Sequence, residues 1–134
     1  MVHHGTLSVL SKKRAHWLDI TATVQSHIVA SGIREGICTL CSLHTTAALT
    51  INENADDDVQ SDFFAKLAQL LPQQDNYLHA EDNSDSHLKT SLVGLSVVVP
   101  IQKAVLVLGR WQSVYLCEFD GPRSRQIHCT LIGE

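Results

Sequence analysis

Two hydrophobic rhythms run through this chain. Ile20, Val24 and Ile28 recur at helical spacing. Asp19 or Thr21 can cap the start of that helix, and Gly32 suits its C-terminal end. A second helix is expected to open at Asp56-Asp57-Asp58, whose carboxylates favour the positive helix N-terminus. Val59, Phe63, Phe64, Leu67, Leu70 and Leu71 form its apolar face, and Pro72 ends it. A short helix is expected over Ser84–Leu92, ending at Gly94. The remaining apolar runs are short and β-branched, which predicts strands. Thr6–Ser11 and His16–Ile20 flank the basic turn Lys12-Lys13-Arg14. Gly36–Leu43 follows, and Ala47–Ile51 continues extended. Leu95–Ile101, Ala104–Gly109, Val114–Phe119 and Ile127–Ile132 complete the set. No strand-helix-strand alternation appears in the last third, so the pattern predicts α+β with a largely antiparallel sheet. There is no internal repeat or linker, and residues 1–134 are expected to form one domain.

Composition narrows the classes. Hydrophobic residues make up 44% and charged residues 18%, enough to build a core and too apolar for disorder. Only 5% are aromatic, so Leu, Val, Ile and Ala must fill that core. The net charge of −4 carries no basic footprint for nucleic acid. No apolar run approaches the ~20 residues of a membrane span. The N-terminus has no basic start followed by an apolar stretch, so a cytoplasmic location is expected. Cys38-x-x-Cys41 is half of a zinc-ribbon spacing, but Cys117 and Cys129 stand alone. In a strand, Cys38 and Cys41 face opposite sides, so they are expected to be free thiols.

The polar residues cluster. His44-Thr45-Thr46 closes a strand, where loops carry sites, and Asn52-Glu53-Asn54 follows within ten residues. His79 and His87 flank an acidic loop, and Pro72–Asp85 is the only long polar stretch. Loops of that length in compact domains are often functional. Three histidines, His44, His79 and His87, are a possible metal set with an open fourth position. One of them is alternatively a general acid or base. His16, His27 and His128 lack polar company and read as structural or surface residues; His3 and His4 are left outside the site. Asp120-Gly121-Pro122-Arg123 reads as a turn. Beyond it Arg123 and Arg125 point to one side of an extended chain, as suits a phosphate. The bland alternative pairs these arginines with Asp120 or Glu118. Trp111 reads as a partly buried core residue rather than a stacking wall.

These segments, in this order, resemble the YjbQ family, also called the secondary thiamine-phosphate synthase family. The resemblance rests on His44-Thr45-Thr46-Ala47-Ala48, Ile51-Asn52-Glu53-Asn54, His87-Leu88-Lys89, Gly94-x-Ser96, Pro100-Ile101, Leu108-Gly109-x-Trp111-Gln112 and Asp120-Gly121-Pro122-Arg123-x-Arg125. It runs from Trp17 to Thr130. Asp85-Ser86 and Arg110 depart from it, since the family tends to smaller or neutral residues there. The resemblance implies an α+β domain of two packed sheets, a largely antiparallel β-sandwich with a few helices, assembled as a homotrimer. It also implies a weak ability to join a pyrimidine diphosphate to a thiazole phosphate. On that expectation His44, His87, Glu53 and Asp120 are the catalytic candidates. Thr45, Thr46, Asn52, Asn54, Ser96, Arg123 and Arg125 are the candidates for binding a small phosphorylated molecule. Lys89 would add cationic character. A divalent metal is also expected. Mg²⁺ would draw on Glu53, Asp82, Asp85 or Asp120, and Zn²⁺ on His44, His79 and His87. Two other readings stand beside the synthase: a histidine-metal hydrolase of a small substrate, and a non-catalytic ligand-binding trimer.

Overall fold

The computed structural model describes all residues from Met1 to Glu134. The chain forms eight strands and three helices. They are β1 (Val2–Leu10), β2 (His16–Asp19), α1 (Thr21–Ser31), β3 (Gly36–Ser42), β4 (Ala47–Glu53), α2 (Asp57–Leu70), α3 (Ser84–Val93), β5 (Ser96–Gln102), β6 (Val105–Leu106), β7 (Gln112–Glu118) and β8 (Ser124–Gly133). Five strands form one sheet in the order β1-β8-β3-β5-β6, and three form another in the order β2-β7-β4. Every pairing is antiparallel. The fold is therefore the expected α+β arrangement of two sheets.

The helices start and stop where the sequence signals lie. Gly32 ends α1 in the left-handed conformation, with φ +78, which glycine adopts without steric cost. Asp56 caps α2 by accepting from the Asp58 backbone N–H at 2.9 Å. Three boundaries differ most from the sequence pattern. Strand β1 starts at Val2 rather than Thr6, because Val2–Gly5 continue the ladder with β8 opposite Cys129–Ile132. The run after Ala104 keeps only two strand residues, because Lys103 and Ala104 take positive φ and turn the chain sharply into β6. The last strand starts at Ser124 rather than Ile127, because Arg125 faces inward in register with Ile127, Cys129 and Leu131. A buried arginine hides the alternation that otherwise marks a strand.

The two sheets enclose the main core. Leu7, Leu40, Val99 and Ile127 come from the large sheet, Leu49, Val114 and Leu116 from the small one, and Val24 and Ile28 from α1. A second cluster lies on the far face of the small sheet, where Trp17, Tyr115 and Phe119 meet Phe63, Phe64 and Leu67 of α2. Trp17 stacks on Tyr115 with ring centroids 4.6 Å apart. Strand β7 is thus covered on both sides, which explains its unbroken apolar run. Cys38 and Cys41 do face opposite sides of β3, and all four cysteines are free. Trp111 is 54% exposed, so it does not take the core place expected for it. No helix is long and apolar enough to cross a membrane.

At the open end of the large sheet, Gly36 of β3 pairs with Gly133 of β8. A Cβ on either glycine would collide with the facing backbone, at the Ile132 or the Glu35 carbonyl. Neither strand can move apart without breaking the ladder. Gly36→Ala is therefore expected to cost about 1–3 kcal/mol of stability, the range for overpacking. Urea unfolding measures it, and an unchanged midpoint would show that the pairing there is loose.

Candidate functional site

A cleft of about 680 Å³ opens where three connections meet. The residues before β4 supply Leu43, His44, Thr45 and Thr46. The polar loop and the start of α3 supply Glu81, Asn83 and His87. The turn between β7 and β8 supplies Asp120, Pro122, Arg123, Ser124 and Arg125. The sequence grouped most of these residues, and the fold brings His44, Thr45, Thr46, His87, Asp120, Arg123 and Arg125 together.

His44 is fixed by its backbone neighbour. The Gln126 N–H donates to His44 Nε2 at 2.8 Å. The neutral ring therefore carries its proton on Nδ1, which remains available as a donor. Burial and the nearby Arg125 charge, with a smaller push from Arg123, hold the ring below the usual histidine range. At neutral pH His44 is an uncharged donor.

Arg125 is not a free phosphate clamp. Its Nε donates to Glu118 Oε1 at 2.7 Å, and Nη2 donates to Glu118 Oε2 and, at 2.8 Å, to Thr46 Oγ1. Both members of the pair are buried. Only Nη1 is left without a bond inside the chain. Glu118 also accepts from Ser11 Oγ at 2.6 Å and from the Asp120 N–H at 3.0 Å. Burial alone would raise the Glu118 carboxyl, but these bonds from Arg125, Ser11 and Asp120 outweigh it and hold the carboxyl below its usual range. Thr46 likewise spends its hydroxyl on Arg125.

Arg123 is different. Its side chain is 54% exposed, and it holds Asp120 at 3.1 Å through Nη2, leaving Nη1 free. Asn83 donates to the same Asp120 carboxylate at 2.8 Å, so Asp120 is an organiser of the turn rather than a free base. Asn83 Oδ1 is buried without a partner. The ring of His87 sits 5.2 Å from that of His79, edge to face, and His79 pairs with Glu81 at 3.5 Å.

Several expected site residues lie elsewhere. Asn52, Glu53 and Asn54 sit at the far end of β4, about 20 Å from His44 at the usual strand rise. There Asn54 donates to the Arg110 and Gln112 carbonyls, Asn52 accepts from the Glu53 N–H and Glu53 accepts from the Ala55 N–H. They fasten a turn. Ser96 faces outward on β5 opposite Cys41. Lys89 is buried on Asp85 at 2.7 Å, and Asp85 also takes Arg14 at 3.0 Å. These two charges hold the Asp85 carboxyl low against the opposing effect of burial. Asp85 and Lys89 therefore anchor α3 and do not reach a ligand. Asp82 accepts from Gln73 and Gln74 and shapes the loop. No group of three His, Cys, Asp or Glu is arranged to hold a metal ion. The three-histidine set fails because His44 Nε2 is already occupied and His79 turns to Glu81. Sequence reasoning missed Asn83 and Ser11. The signal for Glu118 was one acid inside the apolar run Val114–Phe119, and the alternative that pairs the arginines with Asp120 or Glu118 is the one found for both.

Fold and cleft together define a two-sheet α+β protein with a donor-rich pocket at one end of the sandwich. The family model described as UPF0047 protein YjbQ-like matches residues 5–134, and the chain belongs to that family. It is 42% identical over 126 residues to a UPF0047 protein of Methanocaldococcus jannaschii, covering 94% of this chain and 91% of that one. It is 40% identical to the UPF0047 protein YugU of Bacillus subtilis, covering 96% and 98%. A YbjQ-like protein of unknown function from Sulfolobus solfataricus superposes with a TM-score of 0.95 at 31% identity, covering 100% and 99%. These relatives are described as a family of unknown function, and none is described by an activity. The expectation of thiamine-phosphate synthase chemistry is therefore withdrawn, and with it the transferase and hydrolase readings.

The Glu118–Arg125 pair generates a stability prediction. A carboxyl held low in the fold stabilises it above the unfolded value, about 4.3, and that contribution is lost as pH falls through the folded value. Glu118→Gln leaves Arg125 buried and unpaired. It should lower stability at pH 7 by about 3–5 kcal/mol and flatten the acid limb of the stability profile. Equal stability at pH 7 would mean that the pair contributes nothing to holding the sheets together.

Proposed function

We propose that the cleft binds a small molecule carrying a single phosphate group. The observation that supports this is the set of directed donors with no partner inside the chain. They are His44 Nδ1–H, Arg123 Nη1 and Arg125 Nη1, with the Thr45 hydroxyl beside them at the cleft wall. The N–H groups of Ser84 and Asp85 at the start of α3 have no acceptor inside the chain, while those of Ser86 and His87 bond the Asn83 carbonyl on the same rim. Formal charge is nearly balanced. Arg125 neutralises Glu118, Arg123 neutralises Asp120, and Glu81 adds one negative charge. Attraction therefore comes from geometry more than from net charge. Such a site favours a phosphate monoester over a diphosphate, because its few free donors can satisfy one phosphate group and not two.

The test is calorimetric titration with inorganic phosphate, glycerol phosphate and pyrophosphate. The monophosphates should bind more tightly than pyrophosphate. A charge-assisted contact is worth about 1.5–3 kcal/mol, so Arg123→Ala should weaken binding by ~10- to 150-fold. Its melting temperature should change little, since an exposed ion pair contributes little to folding. Arg123→Lys should restore only part of the affinity, because a compact ammonium cannot hold Asp120 and reach the ligand from separate nitrogens as the guanidinium does. No heat with any of the three, or equal affinity in Arg123→Ala, would overturn the proposal.

We also propose that the chain works as a homotrimer. Leu88 and Leu92, one turn apart on α3, and Leu95 just beyond it stay exposed beside the cleft. Apolar surface at that position supports a second copy of the chain packing there. Light scattering at micromolar concentration should give three times the mass of one chain, and Leu92→Glu should reduce it. A stable monomer in the wild type would overturn this.

A further inference from the structure

We propose that His4 and His128 form a two-nitrogen chelate for a divalent transition-metal ion on the outer face of the five-stranded sheet. The two residues come from neighbouring strands. In the β1–β8 ladder His4 pairs with Thr130 and Thr6 with His128, so the histidines are diagonal neighbours. Strand alternation puts both rings on the face away from the core. Their inward neighbours are Leu7 on β1, and Ile127 and Cys129 on β8. His4 Nδ1 and His128 Nε2 stand 3.0 Å apart. The ring planes are inclined at 37°, with His4 exposed and His128 half-buried on this face.

That separation is also the span of two adjacent ligands on one metal. Metal–imidazole bonds are about 2.0–2.1 Å. Two such bonds at angles from square to tetrahedral place the nitrogens roughly 2.9–3.4 Å apart. The pair needs only to exchange its shared hydrogen for a metal and rotate slightly about χ2. The antiparallel ladder fixes both backbones, so much of the ordering is complete before the metal arrives. No carboxylate belongs to this group. Imidazole nitrogens without oxygen donors favour Ni²⁺, Cu²⁺ or Zn²⁺ over Mg²⁺ or Ca²⁺.

The surrounding groups settle the ligand count. Thr130 Oγ1 lies 3.3 Å from His4 Nδ1 and can hold a water on the metal. Cys41 is opposite His128 in the β3–β8 ladder, but its thiol donates back to the Ser42 carbonyl at 3.6 Å. His3 alternates to the inward side of β1, and His27 of α1 sits against Gly5 on that inward side. The protein thus supplies two ligands, and water fills the remaining positions. Such an open site can accept a further ligand from solution.

The test is titration of the full chain with Ni²⁺ and with Cu²⁺, read by calorimetry and, for copper, by electron paramagnetic resonance. One equivalent per chain is expected, with copper showing coupling to two nitrogens. His4→Ala and His128→Ala should each weaken binding by roughly ten-fold or more, because the second ligand acts intramolecularly. The His79→Ala/His87→Ala double variant should bind like the wild type, which separates this site from the cleft. Melting of each variant without metal shows that the fold is intact, and His128→Gln offers a second test of that position. Three results would overturn the proposal: unchanged binding in both single variants, loss on removing only one of the two rings, or loss only in the cleft variant.

Discussion

The buried pair between Glu118 and Arg125 holds this structure together at its working end. Glu118 is the last residue of β7 in the small sheet, and Arg125 is the second residue of β8 in the large one. Their contact ties the two sheets side chain to side chain. The same carboxylate accepts from Ser11, just beyond β1, and from the Asp120 N–H in the turn. The same guanidinium reaches Thr46, just before β4. Four separate chain segments therefore converge on one charge pair. Two unpaired buried charges would be expensive, and the surrounding bonds satisfy almost every site on both groups. Ordered this way, the turn at 120–123 and the entry to β4 have little freedom, and the cleft lies between them.

This arrangement decides what the cleft can offer. An arginine with one carboxylate partner already bound cannot also present a full fork to a ligand. Arg125 is spent as a frame, and its one free nitrogen faces the cleft as a single donor. His44 is placed by the same strand, since Gln126 follows Arg125 and its N–H fixes the imidazole. The strand that carries Arg125 thus also determines which nitrogen of His44 carries the proton. Burial disfavours a charge on that ring, and Arg125 and Arg123 add to it against the opposing pull of Glu118. Position and tautomer of the histidine trace to the β8 backbone, and its neutrality to burial beside two arginines.

The sequence made the regular parts of this fold legible and obscured the parts that electrostatics govern. Ile20, Val24 and Ile28 marked α1 by spacing, and Asp56 and Pro72 bracketed α2, because those signals depend on local chemistry alone. The apolar strands were legible for the same reason. Strand β8 was read three residues short because an inward Arg125 looks like a surface residue until its partner is known. His44, His87 and Arg123 were legible as site residues from residue type and loop position. Asn52, Glu53 and Asn54 were misplaced. Closeness in sequence to His44 suggested closeness in space, but an extended strand carries its two ends about 20 Å apart. Asn83 was hidden in a polar loop whose individual residues gave no sign of which would face the cleft.

The cluster at Asp85 follows the same logic as Glu118. A carboxylate fully buried at the start of α3 requires opposite charge, and two cations supply it. Lys89 is one helical turn along the same face, and Arg14 comes from the basic turn between β1 and β2. Ser86 adds a bond to the Phe119 carbonyl at 2.6 Å, so α3 is pinned to the segment that carries Asp120. Asn83 at the head of that helix then reaches Asp120 directly. Small neutral residues at 85 and 86 would leave Lys89 buried without a partner and the helix free to slide along β4. Arg14, Asp85 and Lys89 are therefore a matched set, and its members should be exchanged together or not at all. Two buried charge clusters, one at Glu118 and one at Asp85, grip the turn at 119–123 from opposite sides. The rigidity of that turn, rather than any one ligand-facing residue, is what gives the cleft its shape.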